Sequence, residues 1–458
     1  MIETFKNAFK IPELRAKLVF TFIIIILYRV GSAIPVPFID SAGMANLFDQ
    51  MDNTIFGYLN ILSGNAFSQA TLFALGIQPY ITASIIMQLL TVAIPALERL
   101  QKSGDDGRKK ITQITRYVTV LLGLITGYGY YMYLGSLRFQ DGTGILNTVG
   151  FSGGERFFVG VVIVACYSAG SALIMWLGEK INESGIGNGI SMILFTNIIS
   201  MLPTTVASSV NAIISRASGS NPAGDVIMET VKWAVIAAVA LALVAFVVFM
   251  SNAERRLQVQ YSKRVVGRKM YGGQSTHLPI KVNMSGVMPI IFASSIVSVP
   301  ITVISFINAN PEHGTALSVV NSLFSPTSIL YISLTFILII AFSYFYISIS
   351  FNPVEVSNNL KKNGGFIPGI RPGKPTSDYI SKILNKIVLI GGLFLAFVAV
   401  FPLTVNAVVS IIPALQSLGL GGLAFGGSSL LIVVGVALET TREIEAQMSM
   451  RHYKGFLE

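Results

Sequence analysis

Among its 458 residues the chain has three histidines, two tryptophans and one cysteine, and these shortages close off whole classes of chemistry. Cys166 alone cannot make an intrachain disulfide. His277, His313 and His452 stand far apart in sequence without metal-ligand spacing, so no metal site and no cofactor is expected. Neither a phosphate-binding P-loop nor a nucleophile motif is present, which argues against an enzyme. Charge is the scarcest class of all: Asp, Glu, Lys and Arg make up 12%, about half the share of a soluble domain. Apolar residues fill the space at 52%, with mean hydropathy +0.67. A soluble globular fold is excluded; the chain reads as an all-α polytopic membrane protein.

Ten windows have spanning length: 18–38, 70–94, 115–137, 157–177, 189–207, 231–250, 284–307, 328–350, 384–407 and 428–445. All of the 32 Lys and Arg except Arg29, Arg138, Arg156, Arg216 and Lys232 fall toward the two ends of the chain or in and beside alternate connections, within residues 1–17, 97–116, 178–188, 251–281, 352–386 and 441–458. The connections near 39–69, 308–327 and 408–427 have none. By the positive-inside rule the basic side is cytoplasmic, and both termini lie there. The opening MIETFKNAFKIPELRAK is expected to be an interfacial amphipathic helix leading into an uncleaved first span. Ten spans divide into two sets of five entering from opposite sides, residues 1–213 and 214–458, which permits an inverted repeat. No internal sequence similarity supports that repeat.

Residues 55–67 are too short to cross a bilayer and are interrupted by Ser63, Gly64 and Asn65, so they predict a re-entrant segment sheltered inside protein. A full span follows, on which Ile77, Ile81 and Ile85 recur at i, i+4 and i+8 on one helical face. Ordinary helix packing explains that face as well as a functional lining does. Ile190 and Leu194 repeat the pairing after GIGNGIS, residues 185–191, where the glycines suit a tight turn and close helix approach rather than a nucleotide site. Arg29 near the end of the first span predicts a structural partner. The tyrosines of GYGYYMYLG, 127–135, are expected to form an interfacial belt, and Cys166 to be packing.

Two basic loops stand out from the membrane. Residues 251–282 read as a protruding β-hairpin, with Leu257, Val259 and Tyr261 alternating and Gly272 and Gly273 at the turn. Residues 352–382 carry Pro368, Pro372 and Pro375 around Arg371, giving a stiff tip. Such loops set topology, attract anionic lipid, or dock a large partner. Span centres hold almost no ionisable residue. Glu439 and Arg442, one turn apart near the end of the last span, are placed to pair. An ion-coupled solute transporter therefore has no evident coupling site, although a transporter with an apolar site, or a membrane receptor or scaffold, remains open at this point.

The motifs YRVGSAIPVP, SGNAFSQATLFALGIQPYITASIIMQLL, GRKKITQITRY, GIGNGIS, YGGQSTHLPIKVNMSGVMPIIFASS, NNLKKNGGFIPGIRPG and GGSSLLIV, collinear over nearly the whole chain, closely resemble the SecY family, the channel subunit of the bacterial protein translocon. The resemblance implies ten transmembrane helices in two pseudo-symmetric five-helix halves around an hourglass pore. It implies a plug at 55–67, including Gly57, Leu59, Ile61, Leu62, Ser63, Gly64 and Asn65. A pore ring is implied at Ile77, Ile81, Ile190, Leu194, Ile291 and Ile432, and a lateral gate at Ile85, Gln88 and Asn283, where Gln88 and Asn283 either make a polar contact or simply pack between helices and Ile85 is either lower pore wall or packing. Leu194 stands where isoleucine is common, and Gln69 where many relatives have arginine. Docking of the SecA ATPase or the ribosome would use Arg255, Arg256, Lys263, Arg264, Arg268, Lys269 and Arg371. SecE and SecG would be membrane partners, secretory preproteins and signal peptides the cargo, and the bacterial cytoplasmic membrane the location.

Overall fold

The computed structural model describes residues 6–41, 43–44, 60, 63–137, 144–146, 152–217, 222–261, 264–266, 269–271, 275–307, 316–411 and 426–454. Long helices lie across all the expected windows: α1 (Pro12–Gly31), α2 (Gln78–Ala93), α4 (Asp105–Ser136), α5 (Gly153–Ser184), α6 (Gly189–Ala217), α7 (Pro222–Asn252), α8 (Met288–Ile307), α10 (Ile329–Ser350), α12 (Lys374–Ile411) and α13 (Gly426–Lys454). Among the described residues six helices are long and apolar enough to cross a membrane, and α2 counts as a seventh when joined to α3 (Pro95–Lys102). The chain is a multi-pass membrane protein.

The ends of these helices follow local chemistry. Proline begins α1, α3 and α7, a position where the missing N–H costs no helical bond. Helix α1 stops at Gly31, earlier than the hydropathy window, because Pro35 and Pro37 cannot continue a helix; glycine at position 31 leaves room for the ring of Phe73, which a side chain there would enter. Residues 34–36 instead run extended beside 70–72, with Leu72 N donating to Ile34 O at 2.8 Å and Val36 N to Ala70 O at 3.2 Å. The second window is likewise shortened, since residues 70–77 are turns and helix begins only at Gln78. At Ile94 the chain bends by 100° into α3, whose Pro95 opens a new helix.

The start of the chain packs along one face and leaves Lys6, Phe9 and Lys10 exposed. Ala8 and Leu14 are buried against Ile186 and Ile444, so this stretch packs on the turn before α6 and on α13. The tyrosine run also divides: Tyr128 is exposed, whereas Tyr130 and Tyr133 are buried in a core with Phe67 and Tyr167. Helical spacing explains why only part of the run faces outward. Cys166 packs against the same core, half-buried.

The expected hairpin exists within the expected bounds; its expected turn residues Gly272 and Gly273 lie outside the described residues. Strand β1 (Glu254–Tyr261) pairs antiparallel with β4 (Ser275–Lys281), Arg255 facing Ile280. A second short ladder joins β2 (Arg264–Val266) to β3 (Lys269–Tyr271). The other basic loop does not stand alone. It contains α11 (Pro353–Lys362), capped by Asn352, and then β5 (Gly365–Phe366), which pairs with the end of β1 through Gln260 and Phe366. Leu257, Val259 and Ile280 pack beneath this sheet on Ile367, Ile380 and Leu384, so both loops share one apolar underside. A short helix α9 (Ala316–Leu323) lies between α8 and α10.

Candidate functional site

The largest buried cluster draws on helices from both halves of the sequence. Helix α8 packs on α2 and α4, and α13 packs on α6, α7 and α12. Ile77 and Ile81, one turn apart at the start of α2, are buried there with Ile190 and Leu194 of α6, Ile291 of α8 and Ile432 of α13. Ile85 belongs to the same cluster. Burying each such side chain away from water is worth about 1.5–3 kcal/mol, and none of the six side chains offers a hydrogen bond.

Small residues let these helices approach. A Cβ on Gly178 of α5 would lie 3.5 Å from Ile193 Cδ1 and 3.8 Å from Ile77 Cδ1, while one on Gly189 would lie 1.9 Å from the Gly178 carbonyl oxygen. The GIGNGIS turn is therefore a close helix approach, and Gly187 with φ +84° supplies its left-handed residue. Side chains satisfy the main-chain donors of this turn. Ile186 N donates to Thr21 Oγ1 at 3.0 Å, Gly187 N to Glu443 Oε2 at 2.9 Å, Gly189 N to Asn182 Oδ1 at 2.8 Å and Ile190 N to Asn188 Oδ1 at 3.0 Å. These contacts fix the N-terminus of the helix carrying Ile190 and Leu194 against α1 and α13.

Before α2 the chain forms an irregular segment whose polar main chain is satisfied internally, as membrane depth demands. Asn60 Nδ2 donates to Asn65 Oδ1 at 3.1 Å, and Asn60 Oδ1 accepts from Ser68 N at 3.0 Å. Ser63 Oγ accepts from Phe67 N at 3.0 Å. From neighbouring spans, Tyr130 donates its hydroxyl to Phe67 O at 2.7 Å and Arg29 Nη1 reaches Gly64 O at 3.4 Å. Gly64 has φ +65° and leaves no room for a side chain, because a Cβ would lie 2.9 Å from Asn197 Oδ1. Of the candidate plug residues, Ser63, Gly64 and Asn65 lie in this segment; Gly57, Leu59, Ile61 and Leu62 lie outside the described residues. Gln69 is exposed.

The polar contact expected at the gate is not formed. Gln88 Nε2 donates to Ser84 Oγ at 3.2 Å, one turn earlier on the same helix, while Asn283 Oδ1 is buried without a hydrogen-bond partner. Gln88 and Ser84 line a cavity of about 190 Å³ with Tyr80, Thr91, Thr112 and Thr115. The pair expected between Glu439 and Arg442 is replaced as well. Arg442 Nη2 donates to Ser251 O at 2.5 Å and Asn252 Oδ1 at 2.8 Å, tying α13 to the end of α7. Burial, reinforced by the Arg442 charge, pushes the nearby Lys281 ammonium below the usual lysine range.

On the sheet, Arg255 and Arg256 are exposed, as is Arg371 in the second loop. Arg256 Nε pairs with Glu254 Oε1 at 2.7 Å, so Arg255 is the less compensated of the two. Arg264 and Lys269 lie in the β2–β3 ladder; Lys263 and Arg268 are outside the described residues. The sequence reading did not single out Tyr130, Asn60, Gly178 or the ion pair of Arg116 with Glu179 at 2.8 Å between α4 and α5. Only the cluster of Ser and Asn in SGNAFSQ hinted at side chains replacing main-chain bonds.

A family model described as SecY matches residues 71–441. The chain is 43% identical to "Protein translocase subunit SecY" of Streptomyces coelicolor, over 100% of both chains. Its identity to the protein of the same name from Corynebacterium glutamicum is 41%, over 98% of this chain and 99% of the relative. Among solved structures it is similar to one described as "The structure of a protein conducting channel", with TM-score 0.64 and 15% identity, covering 95% of this chain and 92% of that one. Another, "Sec61 in the Canine ribosome-channel complex from the endoplasmic reticulum", has TM-score 0.60 and 15% identity over 95% and 92% of the two chains. At that identity the structural likeness establishes the fold.

Proposed function

The chain belongs to the SecY family, and on that premise we propose how its residues conduct a polypeptide. The protein is a channel subunit of a protein translocase, a family that is not catalytic. Residues 1–213 and 214–458 form the two halves, and the cluster of Ile77, Ile81, Ile190, Leu194, Ile291 and Ile432 is the waist between them. The observation that carries this reading is the burial of those six side chains from four helices in one cluster, next to the irregular segment before α2. A passage for many unfolded sequences cannot rely on specific hydrogen bonds. Branched apolar side chains close around whatever occupies it and dewet when nothing does.

Residues 55–67 act as the plug. Ile85, Gln88 and Asn283 line the gate through which an apolar segment leaves sideways for lipid, whereas a charged one is held back by roughly 2.5–3.5 kcal/mol at the helix centre. Asn283 Oδ1, buried and unpartnered, supports a polar station at that seam even though Gln88 does not reach it. The basic side faces the cytoplasm of a bacterial cell, with both termini there. SecA or the ribosome docks on Arg255, Arg256, Lys263, Arg264, Arg268, Lys269 and Arg371, a reading supported by the exposure of Arg255, Arg256 and Arg371. SecE and SecG are the membrane partners.

The deciding experiment reconstitutes the purified complex in vesicles and stalls a secretory chain in it. Crosslinking of that chain to probes at positions 77, 81 and 432, dependent on added SecA or ribosomes, is expected. Saturable uptake of a small solute by the protein alone, with no such crosslinks, would replace this reading with a solute transporter.

A further inference from the structure

Helices α6 and α13 supply half of the waist, Ile190 and Leu194 from one and Ile432 from the other. No short loop joins them, so their spacing depends on contacts between residues far apart in sequence. Those contacts gather at one end, where the turn before α6 lies on α13. Gly187 has no side chain, and a Cβ there would lie 3.3 Å from Thr440 Oγ1. Thr440 Oγ1 donates to Met192 Sδ at 3.6 Å, and Ile186 is buried with Ile444.

One polar contact ties the turn to α13 through the main chain. Gly187 N donates to Glu443 Oε2 at 2.9 Å, across 256 residues of sequence. A hydrogen bond to a carboxylate is roughly twice as strong as a neutral one, and this carboxylate also stands by the positive end of α6. Its other oxygen is held as well. Gln447 Nε2 donates to Glu443 Oε1 at 3.2 Å, and Lys17 Nζ of α1 donates to Gln447 Oε1 at 3.3 Å. The neighbouring donors of the turn bond to Thr21 of α1, Asn182 of α5 and Asn188 of the turn itself. Of the side chains that accept these main-chain bonds, Glu443 is thus the one that comes from α13.

Resting on the reading of the six apolar side chains as the waist, we propose that Glu443 is a positioning residue that sets the resting gap between α6 and α13. With the bond made, the turn is seated on α13, and Ile190, about one helical turn further on, stays packed in the cluster with Ile432. When the bond is lost, the start of α6 drifts from α13 and the cluster closes incompletely, so water and ions enter. Two substitutions separate reach from charge. Glu443→Asp keeps the carboxylate but shortens the side chain by a methylene, which takes its oxygens out of range of Gly187 N. Glu443→Gln keeps the length and an acceptor oxygen while removing the charge.

The test uses the assembled channel, with Cys166→Ser to remove the native thiol. Spin labels at Ser184→Cys and Ala446→Cys, both exposed positions near the contact, report the gap by pulsed electron resonance. Planar bilayers report resting conductance of the unlabelled variants, with Ile432→Asn as the control that wets the waist. Glu443→Asp is expected to shift the gap to longer, broader distances and to raise resting leak roughly tenfold or more, as loss of a hydrogen bond to a charged group predicts. Glu443→Gln should stay close to the parent protein in both. An unchanged gap in Glu443→Asp, or an equal widening in Glu443→Gln, refutes the positioning role. If Glu443→Asp widens the gap without leak while Ile432→Asn leaks, the tie does not govern closure; the proposal falls and the waist stands. If Ile432→Asn does not leak, the waist reading falls and takes the proposal with it.

Discussion

Replacing Ile81 with Asn tests whether the waist is closed by dryness. Ile81 is 2% exposed and lies one turn from Ile77, so its side chain contributes about 1.5–3 kcal/mol to the closed cluster. An asparagine there loses that term and brings an amide whose burial without partners costs about 1–3 kcal/mol more. The open, wetted state bears neither cost, because water satisfies the amide. The closed state is therefore weakened by roughly 3–5 kcal/mol relative to the wetted one, a shift of about a hundredfold or more. Ile81→Val serves as the control, since it removes one methylene at about 0.5–1.5 kcal/mol and adds no polar atom. Single-channel conductance of the purified complex in planar bilayers measures the result. Ion leak at rest should rise strongly in Ile81→Asn and little in Ile81→Val, with export of signal-defective preproteins rising in parallel. Unchanged conductance and unchanged stringency in Ile81→Asn would refute the reasoning, and so would an equal leak in both variants.

Arg371→Glu should lower SecA-driven export while copurification with SecE stays normal; full ATP-dependent transport by this variant would remove Arg371 from the docking surface. Gly64→Ala forces a Cβ into a left-handed residue and against Asn197, costing about 1–2 kcal/mol from the backbone alone, and should raise resting ion leak in the same bilayer assay. Gly189→Ala drives a methyl group into the Gly178 carbonyl, and overpacking of this kind costs about 1–3 kcal/mol. It should lower the thermal midpoint of the purified complex, whereas Gly369→Ala in the open loop, with no neighbour near its Cβ, should do so only through its left-handed φ.

Long apolar windows foretold the helices because burial in lipid rewards composition over any precise contact, and the i, i+4 spacing of Ile77 and Ile81 placed both on the buried face. The ends of the spans were less legible. Hydropathy counted residues 32–38 and 70–77 as spanning, since it is blind to Pro35 and Pro37 ending α1 and to the isolated bridge that joins residues 34–36 to the turns beginning at residue 70. Tyr130 read as an interfacial anchor because tyrosine is amphipathic wherever it stands; its acceptor, 63 residues away, is set by tertiary packing. Gln88 and Arg442 chose other partners than the sequence suggested, Gln88 a nearer one and Arg442 one about 190 residues distant. Ser84 lies on the same helix face as Gln88, and the carbonyl at the end of α7 offers Arg442 an acceptor that no pattern of charges reveals. The two basic loops appeared separate because a two-residue strand such as β5 has no periodicity to detect.

That small sheet also imposes an order of events on synthesis. The β1–β4 hairpin is complete at residue 281, but Leu257 and Val259 find their buried partners on α12, at Ile380 and Leu384. Two apolar helices, α8 and α10, must be made in between. At about 5–20 residues per second, the hairpin waits on the order of ten seconds with its underside bare. The arginines on β1 keep that interval safe, since charge on an unfinished strand discourages pairing with another chain. The underside shared by the two loops is thus covered late in synthesis, and it stays bare on a chain that lacks α12.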